Sequence, residues 1–182
     1  MPILPAPTAI PTPIAFGASW NRSTRLLTIL FLLCGLAILG FSYSAGLPLS
    51  VVFYLTALSL GLGIGLAFWF APIGYQVDER GVAIRRRAGM KHVSYGVLRS
   101  ARLVDPGELA EVTWRWPAVG GLFGFYGWFE TPALGRHRWY ASRDQNLVLV
   151  QSAQGPIVLS PDEAEAFVRE VNQRIRAASR IS

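Results

Sequence analysis

Few residues in this chain have the type and spacing that catalysis needs. Cys34 is the one cysteine, and a single thiol in an apolar run builds neither a disulfide nor a cysteine metal cluster. His92 and His137 are far apart in sequence, with no ligand-type spacing around either, so no metal site is expected. His137 falls in Gly135-Arg136-His137-Arg138, which suits a solvated basic strand end better than a general base. Glu108, Glu111 and Glu130 have no partner recognisable from spacing. The glycines at 120, 121, 124 and 127 lack the Gly-Lys-Ser/Thr ending of a phosphate loop. Interleaved with Phe and Trp, they suit tight turns and a bulge beside a sheet. The expectation is a non-enzymatic protein with no catalytic residue, metal or cofactor.

Charge is more informative. The formal net charge is +6 and the pI about 10.1, and the excess falls in two groups. Arg85, Arg86, Arg87 and Lys91 form the denser one, continued by Arg99 and Arg102; Arg136, Arg138 and Arg143 form the other. Near an anionic membrane surface each basic residue contributes about 1 kcal/mol of attraction. Arg85, Arg86, Arg87 and Lys91 are therefore candidate lipid-headgroup residues, the alternative being a solvated strand edge. No recognition helix or RNP-like motif accompanies the charge, so no nucleic-acid partner is expected. Phe123, Phe125, Tyr126, Trp128 and Phe129 exceed what one small core usually buries. They are a candidate interaction surface for a membrane-protein partner or a second copy of the chain.

The elements that must carry these residues begin with a membrane signature. Hydrophobic residues make up 52% of the 182 residues and charged residues only 15%, against roughly 25% charged in soluble domains. The deficit is local: residues 26–75 contain no Asp, Glu, Lys, Arg or His, a run of about fifty. A crossing takes roughly 20 apolar residues, so the run fits two, broken around Gly46 and Pro48. Helices over about 25–44 and 48–71 follow, forming a transmembrane hairpin over 22–72. A cleaved signal peptide is the competing reading of the first helix; the second apolar run following at once favours the hairpin. Arg22 and Arg25 precede it, Arg80 through Lys91 follow it, and the connecting loop is uncharged. The positive-inside rule then places both termini in the cytoplasm. No ionisable residue lies within either span, which disfavours a channel or transporter. Gly35 and Gly40 in the first helix, with Gly61 and Gly65 in the second, are candidate helix-packing positions, within one hairpin or between copies.

Residues 1–21 hold a Pro-rich stretch that reads as a mobile tail, or as a ligand for a partner's Pro-binding domain. From residue 73 to 182 the pattern becomes short alternating runs separated by turn signals, Asp78-Glu79-Arg80-Gly81 the clearest. About seven strands are expected in a sandwich or partly open barrel. One amphipathic helix over about 161–177 closes the chain. Ser160, Pro161 and Glu163 are placed as a capping box, and Ala164, Phe167, Val168, Val171 and Ile175 form a buried stripe.

Three stretches carry a family resemblance. They are Tyr75-Gln76-Val77-Asp78-Glu79-Arg80-Gly81-Val82-Ala83-Ile84-Arg85, then Gly121-Leu122-Phe123-Gly124-Phe125-Tyr126-Gly127-Trp128-Phe129, then Ile157-Val158-Leu159-Ser160-Pro161-Asp162-Glu163 with Phe167. Through them the region from Tyr75 to Arg176 resembles the bacterial pleckstrin-homology-like domains of membrane-associated proteins. The resemblance implies a mainly-β fold capped by a C-terminal helix, and a setting at the bacterial inner membrane. It supplies neither a catalytic residue nor a ligand, since fold does not imply function. The expected function is a membrane-anchored interaction or assembly module, with anionic-headgroup binding as the alternative.

Overall fold

A computed structural model describes residues 12–44, 51–109, 111 and 113–180. The expected break at Gly46 and Pro48, and the first eleven residues of the tail, lie outside them. Two helices open the architecture, α1 (Arg22–Ser44) and α2 (Val51–Phe70). Both are long and apolar enough to cross a membrane. Their large side chains are not a buried core: Phe41 is 75% exposed, Val51 71% and Leu58 68%. An apolar surface of this extent calls for a lipid or protein cover.

Ten strands are assigned among the described residues, against about seven expected. A four-stranded antiparallel sheet runs in the order β1 (Ile14–Gly17), β2 (Pro72–Val77), β3 (Gly81–Arg86), β4 (Gly89–Ser94). A six-stranded sheet has the order β5 (Leu98–Leu103), β9 (Val148–Ser152), β10 (Ile157–Leu159), β8 (Gly135–Ala141), β7 (Phe125–Thr131), β6 (Thr113–Gly120). β10 pairs with β8 in parallel; the other pairings are antiparallel.

The extra strand that matters most is β1, in the stretch read as tail. It pairs with β2 from Ile14↔Val77 to Gly17↔Gly74, so the helical hairpin is inserted between two neighbouring strands. Phe16 explains why so short a strand holds: it is buried, its ring 5.1 Å from that of Phe167 in an edge-on contact. Proline-rich surroundings hid one apolar side chain that the core needs.

The C-terminal helix is α3 (Ala164–Ala178). Ala164, Phe167 and Val171 face the core with Tyr75, Ile84, Val148, Val150 and Leu159, and Val168 and Ile175 pack at its margin, as helical spacing requires. Asn172 spans the backbone of β5, accepting from Ala101 N–H at 2.9 Å and donating to its carbonyl at 2.7 Å. That occupies a donor and an acceptor on an edge strand that would otherwise be open to pairing. The capping box does not form. Glu163 is the N-cap residue and makes no side-chain cap bond. The buried Ser160 hydroxyl instead accepts from Ser142 N–H at 2.8 Å and lies 3.3 Å from Tyr75 Oη.

Candidate functional site

The junction between hairpin and domain is built around the turn joining β6 to β7. Gly121 and Gly124 have φ of +91° and +134°, and Gly121 N–H donates to the Gly124 carbonyl at 2.9 Å. Phe123 between them is also left-handed, with φ of +58°, a conformation that costs a non-glycine residue about 1 kcal/mol. The turn lies against α1. A side chain on Gly121 would meet Leu27 at 2.7 Å, while Thr28 Oγ1 accepts from Phe123 N–H at 3.1 Å and donates to the Gly121 carbonyl at 3.3 Å. Thr24 Oγ1 donates to the Ser142 carbonyl at 3.0 Å. Both threonines are buried, so polar groups in the first turns of an apolar helix are satisfied by the domain.

Helix α2 meets the domain at its other end. The last carbonyls of a helix lack partners within it; here Ala71 N–H reaches the Ala67 carbonyl at 3.2 Å, and Tyr126 of β7 and the β3–β4 turn supply further donors. Tyr126 Oη donates to the Ala67 carbonyl at 2.6 Å, Arg87 Nη1 to Phe68 at 3.2 Å, and Ala88 N–H to Trp69 at 2.9 Å. The Arg87 guanidinium also lies 3.8 Å from the Phe68 ring centre, a cation–π contact. A cation at a helix C-terminus is favoured by the helix dipole by about 0.3–1 kcal/mol. The basic β3–β4 hairpin is therefore a cap on α2.

Strand alternation sorts the aromatic segment. Phe125 and Phe129 join Trp139 and Leu149 in one cluster, while Tyr126 and Phe123 join Ala67 and Ala71 at the junction. Phe123, Tyr126 and Phe129 are buried and Phe125 and Trp128 half-buried, so the five do not form a continuous exposed surface. Their excess over one small core is absorbed by the hairpin, since Phe123 also touches Trp20 and Phe68. Burial, with no charged neighbour to offset it, pushes the Tyr126 hydroxyl well above its ordinary pKa.

The cations sort by partner. Arg102 makes a two-pronged pair with Glu108 at 2.6 and 2.7 Å, the partner that spacing did not reveal; it holds the Glu108 carboxyl below its usual range. Arg143 pairs with Asp162 at 2.8 Å. Arg85, Arg86, Arg87, Lys91 and Arg138 make no ion pair among the described residues. Arg86, Lys91 and Arg138 line one cleft of about 610 Å³ between α2 and the six-stranded sheet. Lys91 Nζ donates to Tyr140 Oη at 2.8 Å, the Arg86 guanidinium lies 5.8 Å from the Phe70 ring, and Arg138 lies 4.2 Å from Trp128. Arg86 Nε is buried with no hydrogen-bond partner among the described residues. Arg85 and Arg87 are exposed and lie outside the cleft lining. Arg138 belongs to the basic excess, but only β8–β7 pairing opposite Trp128 brings it here; Tyr140 carries no charge or motif that marks it in the sequence.

Of the candidate packing glycines, Gly35 faces α2 closely: a side chain there would meet Leu60 at 2.9 Å. Gly40, Gly61 and Gly65 have nothing within 4 Å of a modest side chain, so they do not bring the two helices together. His92 lies 3.8 Å from Asp78. His137 is fully buried, its Nδ1 2.7 Å from the Gly135 carbonyl, where burial lowers its pKa; of the strand end expected to be solvated, Arg136 is exposed and the His137 side chain is interior.

No curated protein and no solved structure matches the chain. The bacterial PH domain family matches residues 73–175, just over half of it. That span takes in β2 to β10 and nearly all of α3, and with it every strand that contributes to the cationic cleft; the chain belongs to the bacterial PH domain family.

Proposed function

We propose that the chain is a membrane-anchored, non-enzymatic module whose PH-like domain engages anionic lipid at the cytoplasmic face of the bacterial inner membrane. The observation that carries this reading is the β3–β4 hairpin capping α2. Arg87 sits on Phe68 and Ala88 bonds Trp69, so Arg85 to Lys91 are held where the apolar helix ends. Phe68, Trp69 and Phe70 at that end remain 39%, 56% and 41% exposed, an aromatic belt at headgroup depth. Exposed Arg22 and Arg25 begin α1 on the same side of the hairpin, which supports cytoplasmic termini. Each such cation near anionic lipid contributes about 1 kcal/mol. The aromatic segment is engaged inside the chain and lends no support to an assembly surface.

The test is lipid selectivity of the full chain reconstituted in phosphatidylcholine vesicles with spin-labelled phosphatidylglycerol or phosphatidylcholine. The expected result is preferential immobilisation of the phosphatidylglycerol label, weakened by high salt and by Arg85→Gln/Arg87→Gln. Equal immobilisation of both labels contradicts the reading.

A further inference from the structure

The cleft between α2 and the six-stranded sheet has more specific chemistry than a basic surface. Its walls differ in kind. On one side stand Gly63, Leu66, Ala67 and Phe70 of α2, spaced as one helical stripe. On the other stand Arg86, Lys91 and Arg138 with the hydroxyl-bearing Tyr140. Among the described residues no aspartate or glutamate lines it. Among the described residues three cations converge there without an acid, and one of them, Arg86, has a buried Nε with no acceptor. Its guanidinium lies 5.8 Å from the Phe70 ring and 5.9 Å from the Tyr140 ring, so aromatic faces and no carboxylate among the described residues stand beside that charge, which an anion in the cleft would balance.

The clefts beside α3 lack this combination. One of about 540 Å³ is lined by Asp162, Glu163 and Glu165 with Arg169; another of about 620 Å³ along α3 holds Arg169, Arg176 and Arg180, but Arg169 pairs with Glu165 and no second apolar element among the described residues faces them.

We infer that the junction cleft binds a single acidic phospholipid. Its phosphate is held by Arg86, Lys91 and Arg138, and an acyl chain lies along the Gly63–Leu66–Phe70 stripe of α2. This rests on the reading that the hairpin stands in a bilayer. Volume permits it, since ligand clefts commonly run to about 300–1,000 Å³. Length permits it too. From Phe70 to Gly63 the helix rises about 10 Å, carrying the lane from the aromatic end into the span. At Gly63 nothing lies within 4 Å of a modest side chain, so the lane is open at that end and an acyl chain continues into lipid. Charge selects the headgroup: a choline or ethanolamine cation would meet three like charges, whereas a phosphate without a compensating cation meets none. Arginine and lysine are the side chains suited to phosphate oxygens.

Native mass spectrometry of the full chain in neutral detergent, titrated with phosphatidylglycerol, phosphatidylcholine or inorganic phosphate, tests the inference. The expected result is one saturable phosphatidylglycerol adduct, with phosphatidylcholine and free phosphate binding at least about tenfold more weakly. Gly63→Phe, which fills the lane and leaves every charge, abolishes that adduct. Lys91→Gln, on an edge strand, weakens it by about tenfold through loss of one charge-assisted bond and serves if Gly63→Phe fails to fold. A graded, non-saturating series of adducts untouched by both variants overturns the cleft and leaves the surface reading standing. Free phosphate binding as tightly as the lipid overturns the lipid assignment. No preference for phosphatidylglycerol, with no selectivity in the spin-label experiment, overturns both.

Discussion

Tyr126 Oη stands 2.6 Å from the Ala67 carbonyl oxygen, a hydrogen bond between the middle of a β-sheet and the last turn of an apolar helix. A flexibly tethered domain has no use for such a bond. With Thr28 on the β6–β7 turn and β1 paired to β2, it makes hairpin and domain one packed unit. Tyr126→Phe removes the bond and leaves the ring in place. The expected loss is about 1 kcal/mol of stability, with faster amide exchange in the last turn of α2. Unchanged stability and exchange would mean that the junction is loose.

Gly121→Val tests the turn. It adds a branched side chain at a φ of +91° and against Leu27. The left-handed backbone alone is expected to cost about 2 kcal/mol, read as a lower melting temperature of the full chain in detergent. Leu27→Ala in the same chain relieves the contact but not the backbone, so partial recovery is expected. Full recovery would show that the backbone conformation carries no strain.

Alkaline pH probes the buried tyrosines. Burial pushes Tyr75 up to about 12, against Ser160 hydrogen bonds that lower it, and Tyr126 is raised as well. Both folded values lie above the ordinary 10.0, so the neutral form is the one the fold favours. This contribution is complete below pH 10 and is lost as pH rises toward the folded values. Stability is expected to fall steadily from pH 10 to 11, and less steeply in Tyr126→Phe. A parallel fall in the variant would assign the loss elsewhere.

Acid pH probes the strap that ties the segment before α1 to α3. Burial raises the Asp162 carboxyl, but the Ser19 N–H and hydroxyl, at 2.9 and 2.8 Å, and Arg143 outweigh it and hold the carboxyl low. The stabilisation is present above the ordinary value of 3.8 and disappears as pH falls through the lower folded one. Proteolysis between residues 18 and 22 is expected to accelerate below pH 4, and to be fast at pH 7 in Asp162→Ala. Resistance of Asp162→Ala at neutral pH would show that β1 holds without the strap.

Much of this fold is legible in local pattern. The uncharged run of residues 26–75, the turn at Asp78, whose Oδ1 accepts from Arg80 and Gly81 N–H, and the stripe on α3 are all local signals. What local pattern does not carry is long-range. Phe16 finds Phe167 across most of the chain, Ser160 turns from helix capping to the Tyr75–Ser142 network, and the tail it follows supplies a strand. The site divides the same way. Arg86 and Lys91 stand out as a charge run, but Arg138 joins them only through strand pairing, and the aromatic segment reads as surplus until the hairpin that covers it is in place.

Copurified lipid tests the central claim most directly. The full chain is extracted from bacterial membranes into copolymer nanodiscs, and its phospholipids are quantified against the bulk membrane. Anionic phospholipid is expected to be enriched around the chain, and less so around Arg85→Gln/Arg87→Gln. A nanodisc composition equal to the bulk membrane, or enrichment identical in the variant, would contradict the account.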